Sequence, residues 1–188
     1  MRTSHVAGWA SDSPTPAQLK EFFAQIASGR VTGSKLQEFL RGGKQDGNSF
    51  TVTIDYNQTL EQMIATGRYD WKDGDINVKH FPLIGSGRFE IALELIHFNR
   101  VINTSDALKE IDQRGYCPGT IAELLALGAA QPELQQQFPI IALDSVWLSP
   151  DGRRRVALLG EDASERSLCL GWFEYDWYEY CRFLVVRK

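Results

Sequence analysis

The run IIALDSVWL (Ile140–Leu148), SPDG (Ser149–Gly152) and RRRVALL (Arg153–Leu159) decides the fold. Two apolar-rich segments flank four residues that carry Pro and Gly where a β-turn needs them, which predicts two antiparallel strands. Beyond the polar loop Gly160–Arg166, Leu168–Phe173 and Trp177–Val186 read as two further strands, so the end of the chain predicts a β-meander. Working back, strand and helix periods alternate. Phe50, Val52 and Ile54 alternate with Thr51 and Thr53, and Phe89, Ile91, Leu93 and Leu95 alternate with Arg88, Glu90, Ala92 and Glu94. Leu60, Met63 and Ile64 before Gly67 predict a short helix, and Asp73-Gly74 predicts a hairpin turn between Tyr69–Lys72 and Asp75–Phe81. Asn103–Ser105 offers a cap for a helix through Arg114, stopped at Gly115. Thr120 and Glu123 have the capping-box spacing and open a helix with Ile121, Leu124 and Leu125 as its buried stripe. The expected class is α+β, an antiparallel sheet of about five to seven strands covered by helices.

In front of this stands a predicted helical hairpin over residues 15–41. Thr15, Pro16 and Gln18 form a capping box with Pro at the first helical position, and Leu19, Phe22, Phe23 and Ile26 share one face. Ser34 and Gln37 repeat the box for a second helix with Leu36, Phe39 and Leu40. Residues 1–14 read as a loose leader, and the Gly-rich 42–49 as a linker before an α+β domain over 50–188.

The stretch Arg114-Gly115-Tyr116-Cys117-Pro118-Gly119-Thr120-Ile121-Ala122-Glu123-Leu124-Leu125-Ala126-Leu127-Gly128, followed by Phe138-Pro139-Ile140-Ile141-Ala142-Leu143, resembles a family of uncharacterised bacterial proteins. In that family a GYxPxTIxELLAxG run precedes a strand of the type FPIIAL. The resemblance implies a bacterial or phage-associated origin and carries over no activity and no functional residue.

Composition narrows the function classes. The 188 residues are 43% hydrophobic and 23% charged, as in ordinary globular proteins. The formal charge is −4, from 24 acidic and 20 basic side chains. A nucleic-acid binder usually carries a basic excess for phosphate, so that class is disfavoured. No apolar stretch is long enough for a membrane span, and the N-terminus leads into no apolar signal core, so a cytoplasmic protein is expected. Cys117, Cys169 and Cys181 are odd in number and show no CxxC spacing, which argues against a disulfide framework or a zinc site. No metal and no cofactor is implied.

The candidates for chemistry are few. Cys117 lies just before the helix that opens at Thr120, where the helix N-terminus favours a thiolate, and His80 or His97 could supply a base. Asp70, Asp73, Asp75 and Asn77 could offer oxygen ligands to a hard cation but read more simply as a solvated hairpin tip, and Asp75 is also a candidate acid–base group. Gly85-Ser86-Gly87 lacks the Lys-Ser/Thr ending of a phosphate loop. Arg153-Arg154-Arg155 reads as a charged hairpin edge. The densest signal is aromatic: Trp172, Phe173, Tyr175, Trp177, Tyr178, Tyr180 and Phe183. Alternation turns Trp177, Cys181, Phe183 and Val185 toward a core and leaves Tyr178 and Tyr180 on the other side. Trp172, Tyr175, Tyr178 and Tyr180 are therefore the expected binding surface of a protein-binding or assembly module, with an unknown protein partner or self-association. The alternatives are a small hydrolase or transferase with a Cys/His or acid–base site, and nucleic-acid binding through the front hairpin.

Overall fold

A computed structural model describes residues 16–28, 32 and 49–188. Two compact units divide the chain, Met1–Asp46 and Gly47–Lys188. Of the first, the helix α1 (Pro16–Ala27) is described, with Phe22 and Phe23 edge to face at 6.0 Å. The expected second helix of the hairpin, the leader and most of the linker lie outside the described residues.

The second unit is α+β. Its helices are α2 (Leu60–Gly67), α3 (Thr104–Gln113) and α4 (Ile121–Ala130), with a 3-10 turn at Leu134–Gln136. Each begins where its cap places it. Thr59 accepts from the Gln62 amide and Gln62 reciprocates; Asn103 accepts from the Asp106 amide; Thr120 and Glu123 exchange both capping-box bonds. Gly115, at φ 82°, takes the left-handed conformation just past α3.

The strands are β1 (Ser49–Asp55), β2 (Trp71–Lys72), β3 (Arg88–Ile96), β4 (Ile102–Asn103), β5 (Tyr116–Pro118), β6 (Ile140–Leu148), β7 (Arg154–Asp162), β8 (Glu165–Trp172), β9 (Asp176–Trp177) and β10 (Arg182–Arg187). The main sheet has eight strands in the order β1-β3-β10-β6-β7-β8-β2, with β5 also on β10, and β4 pairs β9 apart from it. The turn at Ser149–Gly152 joins β6 and β7, and β6, β7 and β8 run antiparallel as the sequence predicts.

The purely antiparallel expectation is corrected: the sheet is mixed, and it holds one strand more than the upper bound expected. β10 does not continue the meander beside β8. It crosses back to lie between β3 and β6, and is parallel to β6. The cause is written in Phe183-Leu184-Val185, three consecutive residues at 1% exposure or less. A strand apolar on both faces is stable only where both faces are covered, which means the centre. Leu184 points into the core under α2 and α4, while Phe183 and Val185 point into a second core under α3, β4 and β9. The same alternation holds in β6, with Ile140 and Ala142 on one side and Ile141 and Leu143 on the other.

Two local expectations also change. Asp73-Gly74 does not join a hairpin: Trp71–Lys72 pairs β8 in parallel, and Asp75–Phe81 is irregular. The Asp73 carboxylate accepts from the Asp75 amide, so the turn closes on itself. Trp177–Val186 is not one strand, because a turn at Tyr178–Cys181 separates β9 from β10. Among the described residues no helix is long and apolar enough to cross a membrane.

Candidate functional site

Two places gather chemistry-bearing side chains. The first is the turn between β8 and β10. Trp177 is buried and donates from its indole to the Thr104 hydroxyl at 2.8 Å, and Thr104 donates to the Phe173 carbonyl at 2.5 Å. The turn is held again further on. The His97 Nε2–H donates to the Glu179 carbonyl at 2.7 Å, Arg182 donates to the Tyr180 carbonyl at 2.9 Å, and the Cys181 amide donates to the Tyr178 carbonyl at 3.1 Å. On this pinned backbone Tyr175, Tyr178 and Tyr180 are 56%, 64% and 53% exposed. The rings of Tyr178 and Tyr180 stack at 5.5 Å and 13°.

Trp172 is half-buried, 6.0 Å from the Tyr175 ring. Its other neighbours are arginines. Arg155 lies 3.9 Å and Arg153 4.9 Å from its ring centre. Arg155 stands opposite both Trp147 on β6 and Trp172 on β8, so a Trp–Arg–Trp ladder crosses three strands. At such partly exposed sites cation–π contacts are worth about 0.5–1 kcal/mol each. Arg154, on the opposite face, covers Phe173 at 4.1 Å and pairs with Glu174 at 2.7 Å. Of the three arginines expected as a solvated charged edge, Arg153 and Arg154 are exposed, yet Arg153 and Arg155 also contact the Trp172 ring and Arg154 braces the segment leading to Tyr175.

The second place is a cleft of about 430 Å³ at the start of α4, lined by Tyr56, His80, Phe81, Thr120, Asp144 and Ser145 among others. A break in the β6–β7 register between Ile141 and Val146 re-aims Asp144 and Ser145. The Asp144 amide donates to the Gly119 carbonyl at 3.1 Å, and the Ser145 hydroxyl oxygen accepts from the Ile121 amide at 2.9 Å. Burial, reinforced by Asp144, pushes the Glu123 carboxyl up against the lowering effect of its bonds to Thr120. Burial and Glu123 likewise raise the Tyr56 phenol.

His80 stacks on Trp147 at 4.1 Å and 11°. Its Nδ1 is 2.9 Å from the Asp75 carbonyl oxygen, which can only accept. The Asn77 Nδ2 also lies 3.3 Å from Nδ1, but the carbonyl contact is the shorter, so in the neutral ring it favours the hydrogen on Nδ1 and leaves Nε2 as the proton acceptor. The Asp75 carboxylate is 3.8 Å from the same Nδ1.

Of the four catalytic candidates, His80 alone lines this cleft, with Asp75 beside its Nδ1 but outside the lining. His97 does not line it and instead anchors the tyrosine turn. Cys117 is exposed on β5, opposite Val186, and hydrogen-bonds to neither histidine. Burial raises the Cys169 and Cys181 thiols away from thiolate. Among the described residues no three His, Cys, Asp or Glu side chains converge as a metal site. Sequence reasoning passed over Tyr56, Asp144, Ser145, Trp147 and the stacking role of Arg155. Only the capping box at Thr120 signalled that a helix N-terminus would open there.

No family model, curated protein or solved structure matches this chain.

Proposed function

We propose that this chain is a protein-binding module whose contact surface is the tyrosine turn, Tyr175–Tyr180, flanked by Trp172 and its arginines. One observation carries the reading: three tyrosines more than half exposed sit on a backbone held by His97, Arg182 and the buried Trp177. Ordering a loop is a main cost of association, so a turn whose backbone is already held has less entropy left to lose on binding. Tyrosine adds large apolar area at the expense of two side-chain torsions, with a hydroxyl for specificity. A partner with a mixed apolar and polar face fits this surface, because exposed Glu174, Asp176 and Glu179 alternate with the aromatic residues in the chain and Arg153 and Arg154 lie against Trp172 and Phe173.

The test is a double variant, Y178S/Y180S, which alters exposed side chains only. Its melting temperature should stay within about 2 °C of wild type, since surface changes usually cost under about 0.5 kcal/mol. In a side-by-side capture from native lysate, a protein retained by wild type should be lost by the variant. An identical captured set from both would end the reading.

A second reading is an acid–base hydrolase or transferase at the α4 cleft. It is supported by the Nδ1-protonated tautomer of His80, which leaves a basic nitrogen on a residue of the same cleft as Ser145 and Asp144. Turnover of chromogenic esters that H80Q abolishes would support it, and absence of turnover by wild type would remove it. The nucleic-acid expectation rests on the front hairpin, most of which lies outside the described residues.

A further inference from the structure

β1 ends the main sheet, and its outer edge meets no strand among the described residues. Sheet edges are ordinarily guarded by brevity, Lys, Pro or a bulge, because unpaired backbone groups recruit other strands. β1, Ser-Phe-Thr-Val-Thr-Ile-Asp, has none of these guards. It is 7 residues long, contains neither Lys nor Pro, and pairs with β3 without a register shift.

A groove of about 410 Å³ follows this edge. Thr51, Val52, Thr53, Ile54 and Asp55 line it in unbroken succession. Successive side chains of a strand point to opposite faces, so a space touching all of them lies beside the strand and not over one face. Its far wall includes Thr66 of α2 and Ala122, Ala126 and Ala129 of α4, and these small side chains keep it open.

We propose that a second copy of this chain adds to β1, strand against strand and antiparallel, about a twofold axis at Val52. That is the antiparallel register in which all of β1 is paired. It sets Ser49 against the partner's Asp55, Phe50 against the partner's Ile54, Thr51 against the partner's Thr53, and Val52 against itself. Apolar side chains meet apolar ones on the core side, and hydroxyls meet hydroxyls on the exposed side. Asp55, the one charged residue of β1, meets a serine hydroxyl and not its own copy. A twofold contact demands this self-complementarity, and the main-chain ladder supplies the affinity. The surface is separate from the tyrosine turn, so either can fail without the other.

The test is the mass of the full chain by analytical ultracentrifugation. Wild type should sediment at twice 21.2 kDa at micromolar concentration. T51K/T53K sets like charges opposite each other at both symmetric contacts and should dissociate the dimer. T51E/T53K sets opposite charges there and should retain it. Thr51 and Thr53 are exposed, and residue 53 faces Glu90 of β3 in both variants, so the two differ at position 51 alone. Melting temperatures near wild type in both would verify folding. A monomeric wild type overturns the proposal, whatever else covers the edge. So does a dimer that survives T51K/T53K, or loss of the dimer in both variants alike.

Discussion

Replacing Gly128 by alanine sets two effects against each other. Gly128 lies inside α4, where exchanging Gly for Ala ordinarily stabilises a helix by about 1 kcal/mol. Here a Cβ would come 2.3 Å from the Tyr69 hydroxyl and 2.9 Å from Leu159 Cδ1. The Tyr69 ring has little room to retreat, because a Cβ built on Gly67 would lie 2.4 Å from its edge. The ring is wedged between two glycines. Overpacking of this kind costs about 1–3 kcal/mol, and a ring confined on both sides belongs in the upper half of that range. The net expectation is destabilisation by about 1–2 kcal/mol, or a fall of about 5 °C in melting temperature for a chain of this length.

The hydroxyl is the atom that decides. It is buried without a hydrogen-bond partner, and burial drives its pKa far above the ordinary phenol value. Y69F alone should therefore leave stability unchanged or raise it by about 1 kcal/mol. In that background the 2.3 Å contact is gone while Leu159 Cδ1 at 2.9 Å and ring Cζ at 3.2 Å remain, so G128A should cost clearly less than it does in wild type. Differential scanning calorimetry on the four proteins gives the coupling, expected at about 1 kcal/mol or more. If G128A raises the melting temperature of wild type, or costs the same in both backgrounds, the wedge is not what keeps residue 128 a glycine.

Three further outcomes follow from the same geometry. Arg166 donates to the Gly67 carbonyl at 2.6 Å, the Gly128 carbonyl at 2.7 Å and Gln135 Oε1 at 3.0 Å. R166M should strand these acceptors and lower stability by about 3 kcal/mol in urea unfolding, and a loss below about 1 kcal/mol would contradict it. The Glu123 carboxyl is raised above its ordinary 4.5, so the folded state holds that proton more tightly than the unfolded chain. Its contribution is present at low pH and lost as pH rises through the folded value, so E123Q should gain relative to wild type on going from below 4.5 toward neutrality. A stability difference independent of pH would refute this. H97A frees the Glu179 carbonyl, and amide hydrogen exchange across Tyr178–Cys181 should speed up by about tenfold while that of β6 is unchanged. Unaltered exchange in the turn would show that His97 does not hold it.

Local signals were legible because they act over a few residues. Thr120 with Glu123, Asn103 and Gly115 mark helix ends through bonds and backbone angles that their own neighbours complete, and Ser149–Gly152 closes its own turn. The inward set Trp177, Cys181, Phe183 and Val185 was also readable, since apolar side chains are buried wherever the strand lies. The exposed tyrosines were found for the same reason in reverse, although a turn and not strand alternation puts them outside.

Strand order was not legible. Residues 182–187 reach β6 in parallel only because coverage on both faces is available there, and that depends on α2 and α4 above and α3, β4 and β9 below. The Trp147–Arg155–Trp172 ladder required the cross-strand register, and the meeting of His80 with Asp144 and Ser145 required a register break that no local pattern announces. The chain by itself determined the capped helices α2, α3 and α4, the long strands β1, β3, β6, β7 and β8, and which side chains avoid water. Tertiary structure alone decided which of those segments are neighbours, because a pairing is favourable only once every other layer that covers it is in place.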